Sequence, residues 1–94
     1  EVTDIAIDVQ EYINEKAEKI LLFCRKPQQR KDVMEHIGLV NNVKNYDTYM
    51  APLVQIDWIR MTIPDKPTSP NQQYRTTLKG AIISELMNYI DDGE

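Results

Sequence analysis

Gln28–Leu53, QQRKDVMEHIGLVNNVKNYDTYMAPL, reads as two short helices joined by a tight turn. In the first, Val33, Met34 and Ile37 are apolar while Arg30, Lys31, Asp32 and Glu35 are charged, one buried stripe and one wet face at the helical period. Gly38 stops that helix, because glycine enters the left-handed region without a Cβ clash. Leu39 folds back on the core, and Asn41 or Asn42 caps the next helix. There Val43, Tyr46, Met50 and Leu53 fall at i, i+3, i+7 and i+10, again a single face. Two amphipathic helices around a glycine turn make a helix-turn-helix. The outward face of the second carries Lys44, Asn45, Asp47 and Thr48, so any readout of a groove comes from those residues. Pro52 has no N–H, and its ring clashes with the turn before it. The regular helix is therefore expected to end near residues 49–51, with a kink or a new turn through Val54.

Upstream, residues 14–26 predict the first core helix. Ala17, Ile20, Leu21 and Cys24 form its apolar face, widened by Leu22 or Phe23. Glu15 and Lys19 stand in the favourable i, i+4 order. Arg25 and Lys26 suit the C-terminal dipole, and Pro27 ends the helix because the residue before a proline avoids the helical region. Gln28 or Gln29 then begins the helix-turn-helix. Residues 1–13 read as a linker or an N-terminal helix. Val2, Ile5, Val9, Tyr12 and Ile13 have roughly helical spacing, while Val2, Asp4, Ile5, Ile7 and Val9 also suit a short strand. The chain opens on Glu1 rather than methionine, so it is expected to be a piece of a larger protein.

Downstream the period changes. Residues 58–63, WIRMTI, are rich in β-branched and aromatic side chains and predict a strand. Pro64, Pro67 and Pro70, with Asp65, Lys66, Thr68, Ser69 and Asn71, form a loop, and residues 72–76 resume an extended run around Tyr74. Two short strands about a long proline-rich loop, directly after a helix-turn-helix, are a wing. Thr76 or Thr77 caps a last helix with the main stripe Leu78, Ile82, Leu86 and Ile90 and with Ile83, Met87 and Tyr89 beside it, in which Gly80 allows close packing. The expected fold is α+β, mostly α: a winged helix-turn-helix over residues 14–94, with a three-helix core, a two-stranded wing and a C-terminal helix. An extra N-terminal helix is the open alternative for residues 1–13. The last helix has more apolar circumference than one core requires, counting Ile82, Ile83, Leu86, Met87, Tyr89 and Ile90. Surplus apolar surface is usually covered by a partner. A homodimer through the terminal helices is thus expected, with Ile5 and Val9 joining the patch.

Composition narrows the function classes. At 94 residues, 41% of them hydrophobic and 28% charged, the chain is one ordinary globular domain. A lone cysteine, Cys24, excludes an internal disulfide, and its place on an apolar face makes it a small buried hydrophobe rather than a reactive thiol. With one histidine besides, His36, no zinc ligand set exists. His36 reads as a partly exposed residue favoured by a helix C-terminus. No run approaches the ~20 apolar residues of a membrane span, and no secretory signal opens the chain. A cytoplasmic location is expected. The net charge of −4 is unevenly spread. Residues 25–80 hold nine Lys or Arg against five Asp or Glu, a balance of +4, while residues 1–24 and 81–94 each carry −4. A mildly basic body between acidic ends permits a basic face.

Residues 62–80, TIPDKPTSPNQQYRTTLKG, carry a resemblance. They are similar to the wing of the winged-helix domain found at the C-terminus of Fic-family proteins. The same domain ends AlbA-type bacterial transcriptional regulators, often described as RecG-related ATP-dependent DNA helicases. The family wing reads T-I-P-D-K-P, a serine, Q-x-Y, a threonine, then glycine. Here those are Thr62, Ile63, Pro64, Asp65, Lys66, Pro67, Ser69, Gln72 or Gln73, Tyr74, Thr77 and Gly80. Arg30, Lys31, Met34, Gly38, Leu39, Tyr49, Pro52 and Leu53 also stand where such domains carry similar residues. The opening Glu1-Val2-Thr3 resembles the linker that precedes them. One departure is visible: the family often has glycine just before the first wing strand, and this chain has Ile56-Asp57-Trp58. The helicase label does not describe residues 1–94, which hold no glycine-rich phosphate loop with lysine.

Two functions are open at this level. As a DNA-binding module in bacterial transcription regulation, the domain would contact phosphates through Arg30 and Lys31, Lys44 on the reading helix, Lys66 in the wing and Arg75 beside it. Asn41, Asn42 and Asn45 would reach base edges, and Thr48 shares their face. Against this, the reading helix has one base and an acid, Asp47, which repels phosphate. As an interaction or dimerisation domain, it would instead regulate its parent protein through its acidic, amphipathic ends. One scaffold hosts both. No paired carboxylates, Ser-His-Asp set or metal cluster suggests catalysis, so neither an enzyme nor a cofactor is expected.

Overall fold

The computed structural model describes residues 14–92, with side chains to residue 87. The alternatives for residues 1–13, and the part of Ile5 and Val9 in a dimer, lie outside the described residues.

Asn14 opens α1 (Glu15–Phe23), its side-chain oxygen accepting the Ala17 N–H at 2.9 Å. Ala17, Ile20 and Leu21 form the buried face, joined by Cys24 at the cap. Glu15 and Lys19 pair at 3.3 Å. The helix is shorter than residues 14–26, leaving Arg25 and Lys26 beyond its end. What stops it is tertiary: the Cys24 carbonyl accepts the Thr76 N–H at 2.8 Å, and Gln28 exchanges two backbone bonds with Tyr74, at 3.0 and 2.7 Å. Residues 24–28 thus run alongside the wing sheet.

α2 (Arg30–His36) buries Val33 and Met34. Gly38, at φ 78°, lets the Gly38 N–H reach the Glu35 carbonyl and the Leu39 N–H reach Met34. This glycine cap returns Leu39 to the core. Asn42 rather than Asn41 caps the next helix, accepting the Asn45 N–H at 2.8 Å. That third helix is continuous but not regular. α3 (Val43–Asn45) passes into a π-helical turn (Tyr46–Met50) and then α4 (Ala51–Gln55). Regular α-helix ends before residues 49–51, at Asn45, while the expected new turn through Val54 is present as α4. The Ala51 N–H bonds five residues back to Tyr46, and the widened turn seats Pro52 in the first turn of α4, where a missing N–H is tolerated. Met50 and Leu53 are buried and Tyr46 packs half-buried against the core, whereas Val43, expected on the same face, is 67% exposed. Val43 belongs to the first turn, before the chain has closed on the core.

Asp57, at φ 64°, ends α4 in the manner of Gly38, with the Trp58 N–H on the Leu53 carbonyl. β1 (Ile59–Met61) and β2 (Tyr74–Thr76) pair antiparallel, Arg60 opposite Arg75. Both strands are shorter than expected, because Gln72 gathers the intervening loop. It is 6% exposed, accepts the Ile63 N–H at 2.9 Å and donates to the carbonyls of Ile63 and Lys66.

Thr77, not Thr76, caps α5 (Leu78–Asp92), taking the Gly80 N–H at 3.0 Å and donating to the Asp57 carbonyl. A Cβ on Gly80 would lie 2.1 Å from the Trp58 carbonyl oxygen. That contact sets the rotation of the helix and overturns the expected stripe. Gly80, Ser84 and Met87 face inward, with Ile83 packed beside them, while Leu78, Ile82 and Leu86 are 80%, 53% and 52% exposed. Ile90 lies where only the backbone is described. Helices and a two-stranded antiparallel sheet around one core make a winged helix-turn-helix.

Candidate functional site

The helix-turn-helix and the wing meet at a cleft of about 280 Å³, bordered by Gln29, Arg30, Lys31, Asn41 and the wing loop from Pro67 to Pro70. Gln29 closes one end, donating to the Pro70 carbonyl at 3.4 Å. Arg30 is committed to the fold. Its Nε donates to the Asn41 side-chain oxygen at 2.9 Å, and its guanidinium lies 5.6 Å from the Tyr46 ring centroid. Tyr46 in turn sits 6.0 Å from Tyr74, whose hydroxyl is pushed above its ordinary range by burial and by its bond with Tyr46. The row Arg30, Tyr46, Tyr74 therefore ties the start of α2, the third helix and β2 together.

On the outward face one polar atom of each amide, and the Thr48 hydroxyl, is likewise occupied. The Asn42 oxygen caps the third helix, Asn45 donates its side-chain N–H to the Val40 carbonyl at 2.8 Å, and Asn41 holds Arg30. Thr48 donates to the Lys44 carbonyl at 2.9 Å, a bond that partly satisfies a carbonyl beside the π turn. Each of these groups has been drawn into shaping the turn.

The long cations differ. Ion pairs join Lys19 to Glu15, Arg25 to Glu85 and Arg60 to Asp57. Among the described residues no carboxylate pairs with Lys31, Lys44, Lys66 or Arg75, all of them exposed. Lys31 lines the cleft, Lys44 projects from the third helix and Lys66 from the wing loop. Asp47 and Asp65 are exposed near them in sequence, as are Val40 and Val43, so the face is mixed in charge and polarity. Arg75 stands apart on the outer face of the sheet. Sequence reasoning passed over its neighbour Arg60, although strand alternation (Ile59 in, Arg60 out, Met61 in) would have placed it there. Trp58 is 1% exposed and belongs to the core, so its indole offers no partner contact. Cys24 is buried too, and desolvation pushes its thiol up to about 12. Among the described residues, no three His, Cys, Asp or Glu come together as a metal site, and no helix is long and apolar enough to cross a membrane.

Residues 15–77, from the first residue of α1 to the cap of α5, match the family of the Filamentation induced by cAMP protein Fic-like, C-terminal domain. The chain belongs to that family. The Fic-like match takes in the helix-turn-helix, the cleft and the whole wing, and stops one residue before α5. No curated protein and no solved structure matches the chain. Within this Fic-like domain, Asp57 stands two residues before the first wing strand with a positive φ, a backbone conformation that favours glycine.

Proposed function

We propose that this Fic-like C-terminal domain holds duplex DNA by its phosphates, weakly and with little regard to sequence, as part of a bacterial regulator. One observation carries the reading. The cations Lys31, Lys44 and Lys66, unpaired among the described residues, reach solvent from the helix-turn-helix and the wing, while Asn41, Asn42, Asn45 and Thr48 each commit a polar atom to the fold. Phosphate contacts position a protein, and base contacts specify a sequence. A site with the first and without the second binds any duplex. An AlbA-type or RecG-related parent is part of the same proposal and rests on the wing motif from Thr62 to Gly80. The domain itself contributes no catalysis, and its setting is cytoplasmic.

Counterion release gives a slope of log affinity against log salt of roughly −0.9 per phosphate neutralised, so three or four contacts predict about −3 to −4. Fluorescence anisotropy on a mixed-sequence duplex across a salt series measures it. Replacing Lys44 and Lys66 together should flatten the slope by about 2. A second duplex of unrelated sequence should bind equally well. Absence of binding at low salt, or binding indifferent to both lysines, would overturn the reading. A docking role for the domain has its own support in the outward face of α5.

A further inference from the structure

α5 presents Leu78, Ile82 and Leu86 to solvent at four-residue spacing, a straight apolar ridge of about 12 Å at 1.5 Å per residue. The ridge cannot turn inward. Its opposite face is pinned by Gly80 on the Trp58 carbonyl, and Ser84 and Met87 already fill the core side. The Arg25–Glu85 pair, at 3.1 Å, ties α1 beside it, and Leu22, one turn before Arg25, is 46% exposed. Two adjacent helices with apolar residues outward form the kind of surface that takes an amphipathic helix.

Charge selects which one. At the head of the ridge a groove of about 500 Å³ joins Leu78 to Arg60, Arg75, Thr62 and Thr77. Arg60 and Arg75 are directly opposed across the strand pair, an arrangement that costs stability when nothing anionic lies on it. Asp57 answers Arg60 alone, and Lys79 adds an exposed cation beside Leu78. On this side Glu85 is the exposed acid among residues 78–87, and Arg25 neutralises it.

We propose that this face docks an acidic amphipathic helix of a partner protein, its apolar stripe on Leu78, Ile82 and Leu86 and its carboxylates on Arg75, Lys79 and Arg60. The site is separate from the DNA-contacting lysines. Its apolar ridge and Lys79 lie beyond the family-matched residues 15–77, whereas Arg60 and Arg75 lie within them.

The test is anisotropy of a fluorescein-labelled peptide of about four helical turns, with leucine at i, i+3, i+4 and i+7 and Asp or Glu between, titrated with the full chain. Saturable binding with a Kd on the order of tens of micromolar is expected. Arg75→Glu with Lys79→Glu, and separately Ile82→Ser with Leu86→Ser, should each weaken it at least about tenfold. All four side chains are exposed, so melting curves should stay near wild type. A peptide with the same leucines and Lys in place of the acids should not bind. The Lys44 and Lys66 double variant should bind the acidic peptide unchanged, and duplex DNA should not compete, which keeps this proposal's fate apart from that of the DNA reading. Equal affinity for the acidic and basic peptides, or indifference to both pairs of substitutions, would overturn it. So would sedimentation showing a dimer that Ile82→Ser with Leu86→Ser dissolves, because a second copy would then cover the face.

Discussion

Gly80 is held by one oxygen atom. A methyl group there would meet the Trp58 carbonyl at 2.1 Å, and that carbonyl also accepts the Thr77 N–H, so neither backbone can retreat without losing the cap of α5. Gly80→Ala should therefore destabilise by about 1–3 kcal/mol, as overpacking does, despite the better helix propensity of alanine. Urea unfolding measures this, and a gain in stability would contradict the contact. Asp57 shows the reverse case. Its φ of 64° strains any residue with a Cβ, and its carboxylate partly offsets this by pairing with Arg60 at 3.1 Å. Glycine there should stabilise by up to ~1 kcal/mol, while Asp57→Ala, which keeps the strain and loses the pair, should cost about 1 kcal/mol. If both variants unfold at the same urea concentration, strain does not govern this turn.

At the scale of elements, what was legible in the sequence was what local chemistry decides. Gly38 and Asn42 fixed the helix-turn-helix because a positive φ and a side-chain cap are properties of single residues in short contexts. The prolines of the wing loop likewise forced a break between two strands. The face of α5 was not legible, since the strongest apolar periodicity, Leu78, Ile82 and Leu86, points outward and the inner face is chosen by a contact with residue 58. The docking of the turn at residues 24–28 on the wing was not legible for a related reason: it bonds there only because Tyr74 and Thr76 arrive beside it. At the candidate site, exposure of Lys31, Lys44 and Lys66 followed from helix faces and loop composition. The engagement of Asn41, Asn45 and Thr48 did not, because their partners are backbone groups and Arg30, which only the folded turn brings near. The cap supplies a test of the element. Asn42→Ala should lower stability by about 1 kcal/mol and raise amide exchange at residues 43–46 above that in α1. Uniform protection across both helices would mean that the cap is not what starts the third helix.

The molecule as a whole gathers its titratable interior where α1, the third helix and β2 meet. Cys24 there is fully buried, its thiol raised from 9.0 to about 12 by desolvation, and Tyr74, 4% exposed, is raised from its ordinary 10.0 chiefly by the same cause. In both groups the neutral form is the protonated one, and the folded state keeps its proton to higher pH than the unfolded chain. The folded state therefore binds more protons above the unfolded pKa, and stability falls as pH rises. Neutral pH should show a plateau. Above about 9 the thiol alone should lower stability by up to roughly 1.4 kcal/mol per pH unit, and above about 10 the phenol should steepen the fall. Cys24→Ala should remove the first part of the slope, at a constant cost near 1 kcal/mol for the small cavity. Urea unfolding from pH 7 to 10.5 reads both effects. Stability that stays level across this range would mean that water reaches the junction and that the core opens where α1 meets the wing.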